Sequence, residues 1–360
     1  MAIVTGASTC WSTAHAKLHG LLRQRLLLPK GSHILIAVSG GQDSLCLARL
    51  LNDLRSKWQW SLGWVHCDHG WRADSAENAA HVAKLAETWQ IPIRIERADG
   101  LAKNEVAARQ WRYKVFNQIA RKQGYSLVVT GHTKSDRAET VLYNIIRGTG
   151  PDGLGTLRWA RPLGPIASLG SSDPIEDSFP TEQQPQTITL ARPLLDFTRA
   201  ETAQFCQDQQ IPLWEDSSNQ DLSFQRNRIR LELMPYLRTH FNPQAEQALT
   251  QLAEITAADI DYLNAQAVRV YRQTITKLES DLAWTIQRDA LKTEPRSLQR
   301  RVIKQLLHNI LPDPPGFAHV EKLIRLLSAD NGSQTDPYPG GWIAIVRKPV
   351  IRIELLQNKN

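Results

Sequence analysis

The chain has 360 residues, 42% of them apolar, enough for two domains with cores of their own. Its 43 Lys and Arg against 36 Asp and Glu leave +7, a mild pointer to a polyanionic partner. Four widely spaced cysteines (Cys10, Cys46, Cys67, Cys206) with no C-x-x-C exclude a disulfide scaffold and a zinc or iron–sulfur framework.

In chain order, residues 12 to 28 read as a helix leading into the apolar run His33–Val38, the first strand. Ser39-Gly-Gly-Gln-Asp-Ser44 follows, and then Leu47, Leu50, Leu51 and Leu54 trace one face of a helix. Trp60–His66, Ile91–Ile95 and Ser126–Thr130 read as further strands, alternating with helices over Ala73–Gln90, Glu105–Gln123 and Asp136–Arg147. Short apolar strands alternating with helices predict an α/β fold with a doubly wound, mostly parallel sheet. Ligands of such sheets sit at the carboxyl ends of the strands, where Ser39, His66, Asp68 and His132 fall. The stretch 162–187 has no Lys or Arg and is rich in Pro, Ser, Gly and Gln, which reads as a surface insertion. A fifth strand near Thr187–Ala191, a helix over Thr198–Gln210 and a basic helix from about Asn227 complete a first domain, 1–242. The second, 243–360, reads as smaller and mainly helical, closing on a hairpin of Gly340–Val346 and Val350–Glu354. No window is long and apolar enough to cross a bilayer, and the N-terminus carries no secretory pattern; the cytoplasm, without membrane contact, is the expectation.

Strand, glycine turn, helix is the layout of a phosphate cradle: two glycines let the backbone fold tightly, and the helix N-terminus adds positive potential. Ser39, Gly40, Gly41, Gln42, Asp43 and Ser44 have no lysine to reach a γ-phosphate, unlike the common NTP loop. The expected chemistry is therefore attack at the α-phosphorus with pyrophosphate held, and Asp43 is placed either to hold Mg²⁺ near it or to cap the helix. His66-Cys-Asp68-His has too few soft ligands for zinc; His66 and Asp68 either serve the nucleotide site or cap the strand. Glu105, Arg109 and Arg112 share one helix side, either as a solvated ion-pair face or with one Arg steadying charge on a phosphate or a carboxylate. At Gly131-His132, Asp136 and Glu139 are three apart on one helical face, a pair fit to bind an ammonium and accept its proton, with Asp136 also in a capping position. Arg226, Arg228 and Arg230 form a basic stripe that suits a phosphodiester backbone or merely faces water.

Taken together, these blocks resemble the tRNA(Ile)-lysidine synthases of the PP-loop, or N-type ATP pyrophosphatase, superfamily. The resemblance covers about residues 15 to 242. It rests on the Ser39–Ser44 loop, His66-x-Asp68-His-Gly-x-Arg72, Glu105-x-Ala-Ala-Arg109-x-x-Arg112-Tyr113 and Gly131-His-Thr133 with Asp136-x-x-Glu139-Thr140. Arg147-Gly-Thr-Gly150 with Gly153-Leu154, Arg192-Pro-Leu-Leu195, and Asp216-x-Ser218-Asn219 through Arg226-Asn-Arg228-x-Arg230 complete it. The family often has a second Asp where this chain has Ser135, so that duty falls on Asp136 alone. The resemblance implies an adenine nucleotide alpha hydrolase-like fold, ATP and Mg²⁺, and adenylation of the C2 oxygen of the wobble cytidine in an isoleucine tRNA with a CAU anticodon. Free lysine then displaces AMP through its side-chain amine. It further implies ATP contacts from the loop, His66, Asp68, Gly131 and His132, catalytic duty for Asp43, Asp136, Glu139, Arg109 and Arg112, and lysine on Asp136 and Glu139. Arg226, Arg228 and Arg230 would meet the tRNA, residues 243–360 would grip it, and a homodimer is compatible with this. The rival readings are a PP-loop tRNA thiolase, disfavoured by the lack of cysteine pairs, and a non-catalytic tRNA-binding protein, which would need neither Asp43 nor Asp136.

Overall fold

The computed structural model describes residues 11–163, 187–214, 220–278 and 283–356. Most of the insertion at 162–187, and the Asp216-x-Ser218-Asn219 segment, lie outside the described residues. The chain divides into two compact units, one reaching to Ala257 and the other running from Ala258 to the C-terminus. Residue 242 lies just before the long helix Ala245–Thr274, within which that division falls.

In the first unit the elements are α1 (Thr13–Arg25), β1 (His33–Ala37), α2 (Gln42–Trp58), β2 (Ser61–Asp68), α3 (Ser75–Thr88), β3 (Ile93–Arg97), α4 (Glu105–Gln123), β4 (Leu127–Thr130) and α5 (Lys134–Ile146). They continue with α6 (Pro151–Leu154), β5 (Ala160–Pro162), β6 (Thr189–Ala191), α7 (Arg199–Asp208), α8 (Gln225–Arg228), a π-type turn over Ile229–Leu233 and α9 (Met234–His240). The sheet order is β3-β2-β1-β4-β6-β5, parallel throughout except for the β5 edge. That three-residue antiparallel strand was not expected from sequence, and β2 runs two residues further than predicted, so His66 lies inside the strand.

The strands alternate between two buried faces, as a parallel sheet covered on both sides requires. Ile34, Ile36, Leu62, Trp64 and Val129 pack with residues of α1, α2, α3 and α7, whereas Leu35, Val65, Val128 and Leu190 pack against Tyr113, Phe116 and Ile119 of α4. Each such side chain contributes about 1.5–3 kcal/mol when fully buried. The order turns back at β1, between β2 and β4, which puts the ends of β1 and β4 side by side. That is the topological switch point where such sheets bind ligands.

The second unit holds most of the long helix α10 (Ala245–Thr274), then β7 (Ile275–Lys277), β8 (Ala283–Gln287), α11 (Arg288–Thr293), α12 (Arg296–Ile310), α13 (Phe317–Arg325), β9 (Trp342–Arg347) and β10 (Val350–Leu355). The predicted hairpin is β9 and β10, but it belongs to a four-stranded antiparallel sheet of order β7-β8-β10-β9. Val302, Leu306 and Leu323 of the helices join Ile286, Ala344, Ile351 and Ile353 in its core.

Candidate active site

The loop after β1 is built by glycine. Gly40 has φ +90°, and a Cβ there would come within 2.3 Å of Asn78 Oδ1; Asn78 Nδ2 in turn donates to the Ser39 carbonyl at 3.1 Å. Gly41 is the N-cap of α2 and no side chain caps the helix, so the first-turn N–H groups are left for an anion. Ser44 Oγ donates to the Gly41 carbonyl at 2.8 Å and accepts from the Ser39 N–H at 3.1 Å, which closes the loop on itself. Ser44 thus shapes the cradle, while Ser39 and Gly41 form its mouth.

Gly131, at the end of β4, has another reason to be glycine. A Cβ there would lie 2.8 Å from the Asp43 carbonyl oxygen and 2.9 Å from Ser44 N. This close approach brings the start of α5 against the start of α2. Thr133 is the N-cap of α5, and Asp136 at N3 completes a capping box: Asp136 Oδ2 accepts from Thr133 N and Oγ1, both at 2.8 Å.

Three acids meet at this junction on one guanidinium. Arg199, the first residue of α7, donates from Nη2 to Asp136 Oδ1 at 2.8 Å, from Nη1 to Glu139 Oε1 at 2.9 Å and from Nε to Asp43 Oδ2 at 3.4 Å. Arg230 grips Glu139 from its other side, Nε to Oε1 at 3.0 Å and Nη2 to Oε2 at 3.1 Å. The π-type turn, a feature that recurs at functional sites, carries Arg230. Thr202 and Gln42 tie α7 to the loop, Thr202 Oγ1 to Asp43 Oδ1 and Gln42 Nε2 to the Arg199 carbonyl at 2.7 Å.

The acids differ electrostatically. Burial opposes the charge on Asp136, but Arg199 and the Thr133 donors outweigh it and hold its carboxyl below the ordinary range. Asp43 moves the other way: burial and the nearby Asp136 charge raise it against the pull of Arg199 and Thr202. A carboxylate kept charged suits holding an ammonium; it is a weak acceptor of its proton, which qualifies the base role expected for Asp136.

A second group of charges surrounds Tyr113. The Arg109 and Arg161 guanidinium carbons lie 5.4 and 5.1 Å from its ring centre, and the charges of Arg192 and Arg112 add to the field. Arg192 is 1% exposed, and its Nη1 donates to the Arg158 carbonyl at 2.6 Å. The Nε of Arg109, Arg112 and Arg192 have no acceptor among the described residues. Among the described residues no carboxylate lies within ion-pair distance of these four arginines; Glu105, whose charge acts on Arg112, pairs with Arg226 at 2.9 Å. Burial raises the Tyr113 phenol, yet Arg109, Arg192, Arg161 and Arg112 together bring it down to about 8. His132, bonded to Thr130 Oγ1 at 2.8 Å, feels both groups; burial first and then Arg192 push it down to about 3, so it is neutral.

Of the residues singled out from sequence, Asp43, Asp136 and Glu139 converge with Arg230, and Arg226 joins them through Thr140 Oγ1 at 3.0 Å. Arg228 does not: its side chain is exposed and faces Glu232 at 3.6 Å. His66 is buried with Nδ1 on the Val38 carbonyl at 2.8 Å, and Asp68 accepts from the Gly70 N–H at 2.8 Å, next to Arg97. Arg199 and Thr202 were missed. The signal existed in Arg199, a cation in the first turn of a helix, where the macrodipole disfavours it unless acids are close.

Among the described residues no group of three or more His, Cys, Asp or Glu side chains is arranged to hold a metal by itself. Asp43, with 19% of its side chain exposed, fits Mg²⁺ only as one carboxylate beside nucleotide phosphates, the arrangement Mg²⁺ commonly takes.

A sheet with its phosphate-binding loop and acids at the switch point defines a class, and residues 12–237 match the family model of the PP-loop domain. Over 347 residues the chain is 48% identical to a tRNA(Ile)-lysidine synthase of Nostoc sp., covering 94% of this chain and 95% of that protein. It is 45% identical over 345 residues to that of Thermosynechococcus vestitus, covering 94% and 93%. The chain belongs to the tRNA(Ile)-lysidine synthase family. The fold is also similar to that of the U34-tRNA thiolase NcsA of Methanococcus maripaludis, with TM-score 0.54 and 16% identity over 68% of this chain and 78% of that one.

Proposed function

We propose that this protein is a ligase that joins lysine to C2 of the wobble cytidine of the CAU-anticodon isoleucine tRNA, converting ATP to AMP and pyrophosphate. The observation that carries this reading is the meeting of Asp43, Asp136 and Glu139 on Arg199, directly beside the phosphate loop. The cytidine O2 attacks the α-phosphorus, and pyrophosphate leaves. The lysine amine then attacks C2, the C2–O bond breaks and AMP departs with that oxygen. Adenylation is needed because a ring carbonyl oxygen is otherwise a poor leaving group.

The uncapped first turn of α2 supplies N–H donors for the nucleotide phosphates, with Asp43 beside them to share a Mg²⁺. When bound, that ion neutralises phosphate charge. Asp136 and Glu139 hold the lysine ammonium. The arginine group around Tyr113, including Arg109 and Arg112, takes a phosphate group, because its buried Nε donors find no acceptor among the described residues. Arg226, with exposed Arg228, faces the anticodon strand, and residues 243–360 grip the tRNA body in the cytoplasm. Among the described residues no helix is long and apolar enough to cross a membrane.

A thiolase reading finds no usable thiol among the described residues. Cys46 and Cys206 lie together in the core behind the loop, and the contact with Cys206, together with burial, pushes the Cys46 thiol up. Burial pushes Cys67 up to about 12. The direct test is incubation with ATP, Mg²⁺, labelled lysine and the CAU-anticodon tRNA. Label in the tRNA with stoichiometric AMP and pyrophosphate is expected; an unlabelled tRNA rejects the proposal.

A further inference from the structure

Asp136 and Glu139, the acids assigned to the lysine ammonium, are already engaged. Asp136 Oδ2 is taken by Thr133, and Glu139 Oε2 by Arg230. The oxygens that face each other across the pair, Asp136 Oδ1 and Glu139 Oε1, are both taken by Arg199, at 2.8 and 2.9 Å. Its two terminal nitrogens bridge the carboxylates as a bound ammonium would. Arg230 reaches the same two oxygens, Nε to Glu139 Oε1 at 3.0 Å and Nη2 to Asp136 Oδ1 at 3.8 Å, but Arg199 makes the shorter bridge, so an incoming ammonium has to displace it.

We propose that Arg199 is an internal stand-in for the substrate ammonium, filling the amine position until lysine displaces it. This rests on the function proposed above. The residue suits such an exchange. Its side chain is 29% exposed, and it stands at the first position of α7, where the macrodipole gives it no support. Its Nε already reaches Asp43 at 3.4 Å, beside the phosphate loop. A guanidinium leaving Asp136 and Glu139 therefore finds a counter-charge on the nucleotide side, and more so when phosphates occupy the loop. Three carboxylates against the guanidiniums of Arg199 and Arg230 also leave one negative charge, so lysine is attracted even though its seat is taken.

Two consequences follow. A site held by its own residue about nine-tenths of the time binds its ligand about tenfold more weakly than the same site left open. ATP, by giving Arg199 another partner, strengthens lysine binding, and by reciprocity lysine strengthens ATP binding. Arg199 is thus a positioning residue that links the two half-sites.

The test is calorimetric titration of the full chain with L-lysine, with and without a non-hydrolysable ATP analogue. Wild type should bind lysine weakly alone and more tightly with the analogue. Arg199→Ala should bind lysine about tenfold more tightly than wild type without nucleotide, with the nucleotide effect abolished. Arg199→Gln carries the same expectation should truncation disturb the fold. Arg199→Lys, which keeps a cation within reach of both carboxylates, should stay weak and nucleotide-dependent. Weaker lysine binding in both Ala and Gln variants, or an unchanged nucleotide effect, overturns the proposal and makes Arg199 a direct lysine ligand or a scaffold residue. Labelled-lysine incorporation by wild type separates the two levels: if it succeeds while the titrations fail, only the stand-in role is wrong.

Discussion

Two charge clusters bear on His132, and they differ in how their charge is met. In the first, Asp43, Asp136 and Glu139 face Arg199 and Arg230, and every oxygen of Asp136 and Glu139 has a donor within 3.1 Å. In the second, four arginines surround a phenol, and three of their Nε donors have no acceptor among the described residues. A satisfied cluster must exchange a partner to bind a ligand, whereas an unsatisfied one needs only to receive an anion. The difference suits an amine that arrives by displacement and a phosphate that arrives by addition.

The largest effect should come from breaking the satisfied cluster. Asp136→Asn keeps an acceptor for the Thr133 cap but removes the charge facing Arg199 and the amine. Loss of one partner of a buried charged pair costs roughly 2–5 kcal/mol. Lysine transfer should fall correspondingly, at least about thirtyfold, while tRNA binding by filter retention stays near wild type; a parallel loss of tRNA binding would assign Asp136 to structure instead. Gly131→Ala should come next, since its Cβ meets backbone at Asp43 and Ser44 rather than a movable side chain. Overpacking of this kind costs about 1–3 kcal/mol, seen as a lower denaturation midpoint together with weaker ATP binding.

The unsatisfied cluster is tested through its missing anion. Arg192→Met keeps the bulk of a 1% exposed side chain and removes one donor group. It should weaken pyrophosphate or tRNA binding by about 1.5–3 kcal/mol, the range of a hydrogen bond to a charged group. If wild type and variant bind both anions alike, the pocket is structural. Tyr113 supplies a smaller signal. Its phenol, at about 8 in the folded protein against the ordinary 10, should titrate as one early tyrosine in ultraviolet difference spectra. The folded state then gains stability as pH rises through 8 toward 10. Arg192→Met, or bound pyrophosphate, should move that titration upward.

Much of this was legible before the structure. The sheet was, because strands buried on both faces read as continuous apolar runs such as His33–Val38. The site was legible where chemistry and glycine coincide in short segments, at Ser39–Ser44 and Gly131–Glu139. What escaped was set by tertiary placement. β5 and β7 are three residues each, too short for any period to show. The basic stripe read as one surface, yet Arg226 and Arg230 are four apart and share a face, while Arg228, two residues from each, projects elsewhere. Arg199 stands alone in sequence beside a helix cap, and only the packing of α7 on α2 brings it to the acids. Arg109, Arg112, Arg161 and Arg192 come from three separate stretches, so no local pattern announces the group around Tyr113.

The smallest expected effect reverses the usual sense of damage. Burial and the charge on Asp136 raise the Asp43 carboxyl above its ordinary value, so in the folded protein its charged form is disfavoured. By linkage, a carboxyl whose pKa rises on folding costs no stability while protonated in both states; the cost builds as pH rises from the unfolded value to the raised one and is complete above it. Asp43→Asn is neutral and nearly the same shape, and it still accepts from Thr202 Oγ1, the partner of Asp43 Oδ1. It should therefore raise the thermal midpoint of the ligand-free protein at pH 7, and the gain should shrink as pH falls through the Asp43 transition. The same variant should lose ATP-dependent chemistry, since the carboxylate beside the phosphate loop is gone. Stability lost rather than gained at pH 7 would mean that the Arg199 contact at 3.4 Å outweighs burial, and that Asp43 belongs with Asp136 among the acids that hold the cluster together.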